Sequence, residues 1–312
     1  MNPSLKPLDH QVIVVTGASS GIGLATVLLA AQAGAKVVML ARSGETLARI
    51  AQHVQAEGGE AVPVVGDVAE PADVQRAADT AVARFGRIDT WVNNAGLSIY
   101  GRMDEVPVAD ARRLFDINYW GVVHGSLVAL PHLRRDGGAL VNVGSEVSDA
   151  AVPLQGHYSA SKHAVKGFTD ALRIELEADE APVSVTLIQP TAVDTPFPEH
   201  AANYLSQAPK LPTPMIEPAR VARAILDAAT RPTRHTRVGA MAVLNTTIAR
   251  VMPRLADAMA KVQLGRQQRE EPASAHAGTL WEPGEAGQVH GRGNEDAADP
   301  KQAYESNLRK DE

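Results

Sequence analysis

The sequence predicts an α/β protein built on one doubly wound parallel sheet in three α/β/α layers, and three observations carry that prediction. Short apolar runs rich in β-branched residues alternate with longer segments of helical period, the pattern of parallel strands joined by crossover helices. The chain has 312 residues, more than an average domain but suited to an α/β unit of about 250 residues with an appendage. The first apolar run ends in a glycine-rich turn, Thr16-Gly17-Ala18-Ser19-Ser20-Gly21-Ile22-Gly23, and the next helical pattern starts inside it.

Six strands are expected, at Val12 to Thr16, Lys36 to Leu40, Ala61 to Val65, Asp89 to Val92, Ala139 to Val143 and Val183 to Ile188. Helical periodicity fills the intervals near Gly21 to Ala33, Gly44 to Ala56, Pro71 to Phe85, Val108 to Leu133 and His157 to Ala178. Right-handed crossovers then gather ligands at the carboxyl ends of the strands. At the first of these ends, Gly17, Ser19, Ser20, Gly21, Ile22 and Gly23 would let the backbone approach a pyrophosphate seated on a helix N-terminus. The spacing G-x-x-x-G-x-G is a variant of the usual dinucleotide fingerprint, and alone it also fits an ordinary strand-to-helix turn.

The second strand is followed by Ala41, Arg42 and Ser43. A carboxylate at this place favours the ribose hydroxyl of NAD, whereas a guanidinium can grip the 2′-phosphate of NADP with paired hydrogen bonds. The reading is therefore NADP(H) held by Arg42 with help from Ser43, with NAD(H) as the alternative; a solvated loop arginine would look the same. Asp67 and Val68 follow the third strand, and Asn93-Asn94-Ala95-Gly96 the fourth, where loops meet a bound dinucleotide. Each of these is otherwise a loop of turn-forming residues. In Gly156-His157-Tyr158-Ser159-Ala160-Ser161-Lys162 a phenol and an ammonium stand four residues apart, on one helix face. A cation so placed favours the phenolate and lowers its pKa.

Taken together, the order of motifs resembles the short-chain dehydrogenase/reductase family, the Rossmann-fold oxidoreductases, over about Asp9 to Thr195. The resemblance rests on the glycine-rich turn, Asp67, Asn93-Asn94-Ala95-Gly96, Asn118, Ser145 after the fifth strand, and Tyr158-x-x-x-Lys162. It implies that Tyr158 is the general acid or base and that Lys162 tunes it and binds the nicotinamide ribose. It further implies that Ser145 holds the reacting oxygen and that Asn118 holds a water in a proton relay. A buried helix asparagine satisfied by a neighbouring carbonyl would fit Asn118 equally. Pro190, Val193 and Thr195 would complete the coenzyme site; here Thr191 stands where the family usually has glycine, which puts that turn in question.

The domain organisation expected is a catalytic unit over 1–240, a helical appendage over 241–264 and a polar, mobile tail over 265–312, with a substrate loop at 196–218. Val147, Gln155 and Phe197 are pocket candidates beside Ser145, with His157 and His200 as weaker ones. The loop's apolar residues suit an apolar carbonyl or alcohol. The appendage, with apolar residues at helical spacing and a proline at Pro253, could cover a dimer surface, pack on its own domain or lie at a membrane interface. Within the tail, Thr279-Leu280-Trp281-Glu282-Pro283 reads as an island anchored by its Leu-Trp pair.

Apolar residues make up 45% and aromatics only 4%, so the core is expected to be largely Ala, Val, Leu and Ile. The net charge is -6, and the tail from Gly265 holds six basic against ten acidic residues, so the rest is nearly neutral. Without a basic run there is no footprint for nucleic acid. Cysteine is absent, which excludes disulfides and thiolate metal sites, and no histidine arrangement suggests a metal. No apolar run is long enough to span a bilayer. The expectation is a cytoplasmic homodimer or homotetramer acting on a small molecule. A catalytically silent NADP(H)-binding redox sensor or regulator is the alternative, and it would have no use for a Ser-Tyr-Lys set.

Overall fold

A computed structural model describes residues 3–284 and 286–292. Seven parallel strands form one sheet: β1 (Val12–Thr16), β2 (Lys36–Ala41), β3 (Glu60–Val65), β4 (Thr90–Asn93), β5 (Gly138–Val143), β6 (Val183–Pro190) and β7 (His235–Val238). Their order is β7-β6-β5-β4-β1-β2-β3. The chain thus starts in the middle of the sheet, builds to one edge, and returns to build toward the other. Between β1 and β4 lies the reversal, where a crevice opens at the carboxyl ends.

Alternation along the strands fills both faces. Val12, Val14, Val38 and Leu40 enter a core with Val74, Ala78 and Leu133, whereas Ile13, Val15, Val37 and Met39 enter one with Leu24, Val27, Leu47 and Ile225. The helices supplying these residues are α1 (Gly21–Gln32), α2 (Gly44–Ala56), α3 (Pro71–Phe85), α4 (Val108–Phe115), α5 (Gly121–Asp136), α6 (Gly156–Ala178) and α7 (Pro218–Thr230). Strands buried on both faces read as continuous apolar runs, which is why β1, β2, β4, β5 and β6 were legible in the sequence; β3, an edge strand that buries only Val64, was legible from its valines. The seventh, β7, reads His-Thr-Arg-Val and buries only Val238; it exists because β6 offers it a ladder.

Two further departures matter for the site. The helix expected over Val108 to Leu133 is interrupted by a π-turn at Asp116–Trp120, which carries Asn118. The appendage is two helices, α8 (Ala240–Val251) and α9 (Pro253–Gln263), broken where Pro253 cannot continue the ladder. Beyond α9, a strand at Gln268–Pro272 pairs antiparallel with Gln207–Pro209 of the substrate loop. The polarity of this region predicts mobility, yet as far as Arg292 it packs on the domain, with Leu280 fully buried in the core. Residues 293–312 lie outside the described residues. No helix among the described residues is long and apolar enough to cross a membrane.

Candidate active site

A cavity of about 440 Å³ opens at the sheet reversal and runs from the glycine-rich turn to the N-terminal half of α6. Close packing of two loops forms its floor. A Cβ at Gly17 would lie 2.7 Å from the Ala95 Cα, and one at Gly23 would lie 2.0 Å from the Gly17 carbonyl oxygen. Gly23 accordingly packs beneath the turn rather than facing the cavity, whereas Gly17, Ser19, Ser20, Gly21 and Ile22 line it. Asn94 also lines it, but its amide ties the loops together by donating to the Thr16 and Gly17 carbonyls at 3.0 and 3.2 Å. Ala95, Gly96, Val68, Pro190, Val193 and Thr195 line the same space.

Thr191 does not strain its turn. The only non-glycine residues with positive φ among the described residues are Leu154 and Glu180. The left-handed position falls instead on Gly239 (φ +100), where a Cβ would come within 2.6 Å of the Thr191 methyl. The turn after β6 accepts a β-branched residue because its neighbour after β7 has no side chain.

At the catalytic end, Ser145 follows β5 and caps a 3₁₀ turn, its Oγ accepting from the Val147 amide at 3.3 Å while its own amide donates to the Ser148 Oγ at 3.2 Å. Tyr158 and Lys162 sit one turn apart on α6, both buried, with the Lys162 Nζ 5.9 Å from the centre of the Tyr158 ring. The ammonium donates to the Val143 carbonyl at 2.9 Å. Burial pushes the Tyr158 phenol up to about 12, against an opposing hydrogen bond with Ser145 and with a further push from the carboxylate of Glu146. Burial also brings the Lys162 ammonium down to about 8. The sequence suggests that Lys162 would draw the phenol down; desolvation is the larger influence, so the phenol is held as a proton donor at neutral pH.

Asn118 does not line the cavity. Its Oδ1 accepts from the Leu97 amide at 2.8 Å, and its Nδ2 donates to the Leu97 carbonyl and the Ser161 Oγ at 2.9 and 3.0 Å. It nevertheless neighbours the lysine: a Cβ at Gly96 would stand 3.4 Å from both the Asn118 Oδ1 and the Lys162 Nζ. Of the substrate candidates, Val147, Gln155, Phe197 and His200 line the cavity and His157 does not. Gln155 is held by Ser98 and Gln267, and the Phe197 ring meets Tyr158 edge-on at 5.4 Å.

Arg42, Ser43 and Asp67 line the far end. The Arg42 guanidinium donates to the Thr279 and Leu280 carbonyls at 2.6 and 3.3 Å, and Ser43 donates to the Thr46 hydroxyl at 3.0 Å. Asp67 is ion-paired with Arg113. Sequence reasoning missed two residues, one toward each end of the cavity. Arg113 is one of two adjacent arginines on α4, and nothing local marks it. Glu146 follows Ser145 directly, lines the cavity, and has its carboxyl pKa raised by burial although Asn245 and Thr191 hydrogen-bond to it. No cluster of His, Cys, Asp and Glu fit for a metal occurs among the described residues.

Comparison with known proteins identifies the family. Residues 11–204 match the family described as short chain dehydrogenase. An uncharacterized oxidoreductase, YxnA, of Bacillus subtilis is 45% identical over 274 residues, covering 86% of this chain and 77% of its own. The 1-deoxy-11-beta-hydroxypentalenate dehydrogenase of Streptomyces avermitilis is 39% identical over 61% of this chain and 71% of its own. Among solved structures, a short-chain dehydrogenase/reductase from Burkholderia phymatum in complex with NAD superposes with a TM-score of 0.73 at 27% identity, covering 80% of this chain and 96% of that one. An alcohol dehydrogenase from Thermococcus sibiricus complexed with 5-hydroxy-NADP gives 0.64 at 28% identity, over 73% and 94%. With its sheet order, its cavity and its Ser-Tyr-Lys set accounted for, the chain belongs to the short-chain dehydrogenase/reductase family of oxidoreductases.

Proposed function

We propose that this protein is an NADP(H)-dependent oxidoreductase that interconverts an apolar ketone or aldehyde with its alcohol, using Tyr158 as general acid and base. The observation that carries the reading is the convergence of Ser145, Tyr158 and Lys162 on one end of a cavity whose other end is a glycine cradle with Arg42. The cradle fits a dinucleotide, because Gly17 and Gly21, packed without side chains against Ala95 and Thr195, bring the turn's backbone to the cavity wall at the N-terminus of α1. When bound, the coenzyme supplies a hydride to the carbonyl carbon or removes one from the alcohol carbon.

The chain's own residues do the rest. In reduction the Tyr158 phenol gives its proton to the carbonyl oxygen as the carbon accepts the hydride; in oxidation the phenolate takes it back. Ser145 donates a hydrogen bond to that oxygen and fixes its distance from the phenol. Lys162 lies close enough to favour the phenolate once the proton has left, and beside its bond to Val143 it has donors left for ribose hydroxyls. Asn118 keeps a lone pair on Oδ1 for a water beside Lys162, through which the phenol regains its proton. Phe197, Val147, Leu211, Ile248 and Met259 give the substrate end apolar walls.

At the coenzyme's other end, Arg42 spends two of its donors on carbonyl oxygens and has others left for a 2′-phosphate. Asp67, a carboxylate that acts on Arg42, is paired with Arg113 and so does not repel one. Solved neighbours carry either dinucleotide, so the choice rests on Arg42. Arg42→Ala should weaken NADPH by about tenfold to a hundredfold while NADH changes little; equal losses would sink the 2′-phosphate contact. Turnover is tested by following reduced-nicotinamide absorbance against a panel of ketones and aldehydes that includes bulky apolar members. We also read the assembly as a homodimer or homotetramer, since Trp120, Leu127 and Ile174 stand exposed on the π-turn, α5 and α6; sedimentation as a monomer at micromolar concentration would count against it.

A further inference from the structure

Beyond α9 and the strand at Gln268–Pro272, the chain from Thr279 onward reaches the cavity's coenzyme end. Thr279 is pinned to the His200 carbonyl through its amide and hydroxyl at 2.9 and 3.0 Å, and Leu280 is fully buried. The Thr279 and Leu280 carbonyls accept from Arg42, and Leu280 accepts a further bond from the Arg113 Nε at 3.0 Å. The Trp281 ring lies over the Arg113 guanidinium at 5.5 Å, and its Nε1 donates to Asp110 at 2.8 Å. The chain then meets the glycine-rich turn from above. Gly287 donates to the Ser19 carbonyl at 2.8 Å, and the Gly21 amide, the first of α1, donates to the Gln288 carbonyl at 2.9 Å. Farther on, His290 meets Asp194 at 3.3 Å.

These contacts straddle the cavity without filling it. Thr279, Pro283, Gly284 and Ala286 line it together with Ser19, Gly21 and Arg42. Two guanidinium groups would repel each other across this end; the strap's carbonyl oxygens and Asp67 offset that and fix both planes. A dinucleotide beneath these residues could leave only after the hydrogen bonds at Ser19 and Gly21 and the Leu280 anchor had opened. A polar segment with one buried leucine, a half-exposed tryptophan and a few backbone bonds is weakly held, which suits an element that opens and closes.

We propose that residues 279–284 and 286–288 are part of the coenzyme site: a strap that fixes Arg42 and Arg113 and closes over the bound dinucleotide, so that release of the dinucleotide waits on detachment of the strap. This rests on the dinucleotide reading above, and the experiment separates the two. NADPH association and release are measured by stopped-flow fluorescence on the full chain and on Leu280→Ala and Trp281→Ala, with circular dichroism to check the fold. Trp281 is half exposed, so its truncation keeps the test alive if Leu280→Ala unfolds. The proposal expects release about tenfold faster in Leu280→Ala and less so in Trp281→Ala, with association unchanged. It also expects hydrogen exchange at the Gly287 amide to slow when NADPH is added to the unmodified protein. Unchanged release in both variants would overturn the strap while leaving the dinucleotide reading intact. Faster association with unchanged release would also overturn it, because the segment would then be blocking entry. Failure of the unmodified protein to bind NADPH or NADH would overturn both.

Discussion

The two halves of helix α6 treat buried charge in opposite ways. In its N-terminal half, Tyr158 and Lys162 are buried, and Lys162 makes no ion pair among the described residues; its ammonium has the Val143 carbonyl. In its C-terminal half, Asp170 is surrounded by Lys166, Arg173 and His235 at 2.9, 2.7 and 2.9 Å. Burial alone would raise the Asp170 pKa, but hydrogen bonds from Arg173, Lys166 and His235 outweigh it and hold the carboxyl well below the usual carboxylate range. Arg173 reaches past it to the Val185 and Arg234 carbonyls and ties α6 to β6 and to the residues before β7. One half is thus a satisfied structural network. The other leaves groups under-compensated and poised to exchange a proton, an arrangement found where pKa values are set for chemistry.

The largest expected split between the halves comes from Lys162→Met. Turnover should fall by about 100-fold or more, while the melting temperature at pH 7 should rise, because a buried ammonium is removed. The sign follows from linkage. With its pKa near 8 in the folded state against the ordinary 10.5 of a lysine, Lys162 costs stability in full below about pH 8, and the cost fades as pH rises toward 10.5. The stabilisation by Lys162→Met should therefore shrink over that window in thermal melts; a gain that stays constant to pH 10.5 would mean the ammonium is not strained by burial.

A smaller effect of opposite kind is expected from Asp170→Asn. Melting temperature should drop by a few degrees with turnover unchanged, since only the network is touched. Because the folded pKa is depressed, the stability that Asp170 contributes is present above the unfolded carboxylate range and lost as pH falls through the folded value. The difference between Asp170→Asn and the unmodified protein should therefore close in strongly acidic solution; a difference that persists unchanged there would assign the network's stability to packing. Smallest of all, Lys166→Met, one turn beyond Lys162 but partly exposed and paired, should shift stability by less than about 1 kcal/mol and leave turnover alone. A large loss of activity there would erase the distinction between the halves.

Much of the fold was legible because doubly buried strands leave unbroken apolar runs, as in Val12–Thr16 and Lys36–Ala41. β7 was not, since an edge strand of His, Thr, Arg and Val carries little pattern of its own. The pairing of Tyr158 with Lys162 was read from their spacing on α6, and Ser145 from the family resemblance. Their protonation did not, because spacing reveals a cation beside a phenol but not how deeply both are buried. Thr191 looked like a misfit because its compensation lies far along the chain, at Gly239. Within the tail the island at Leu280 was legible, whereas the backbone bonds that hold the residues around it are announced by no side-chain pattern.

The central claim, that Tyr158 moves the proton, is tested most directly by single-turnover hydride transfer in Tyr158→Phe saturated with NADPH and with a ketone that the unmodified protein reduces. Phenylalanine keeps the ring against Phe197 and removes only the hydroxyl. NADPH affinity should be unchanged and the rate of hydride transfer lower by about 1000-fold. Turnover as fast as that of the unmodified protein would contradict that claim.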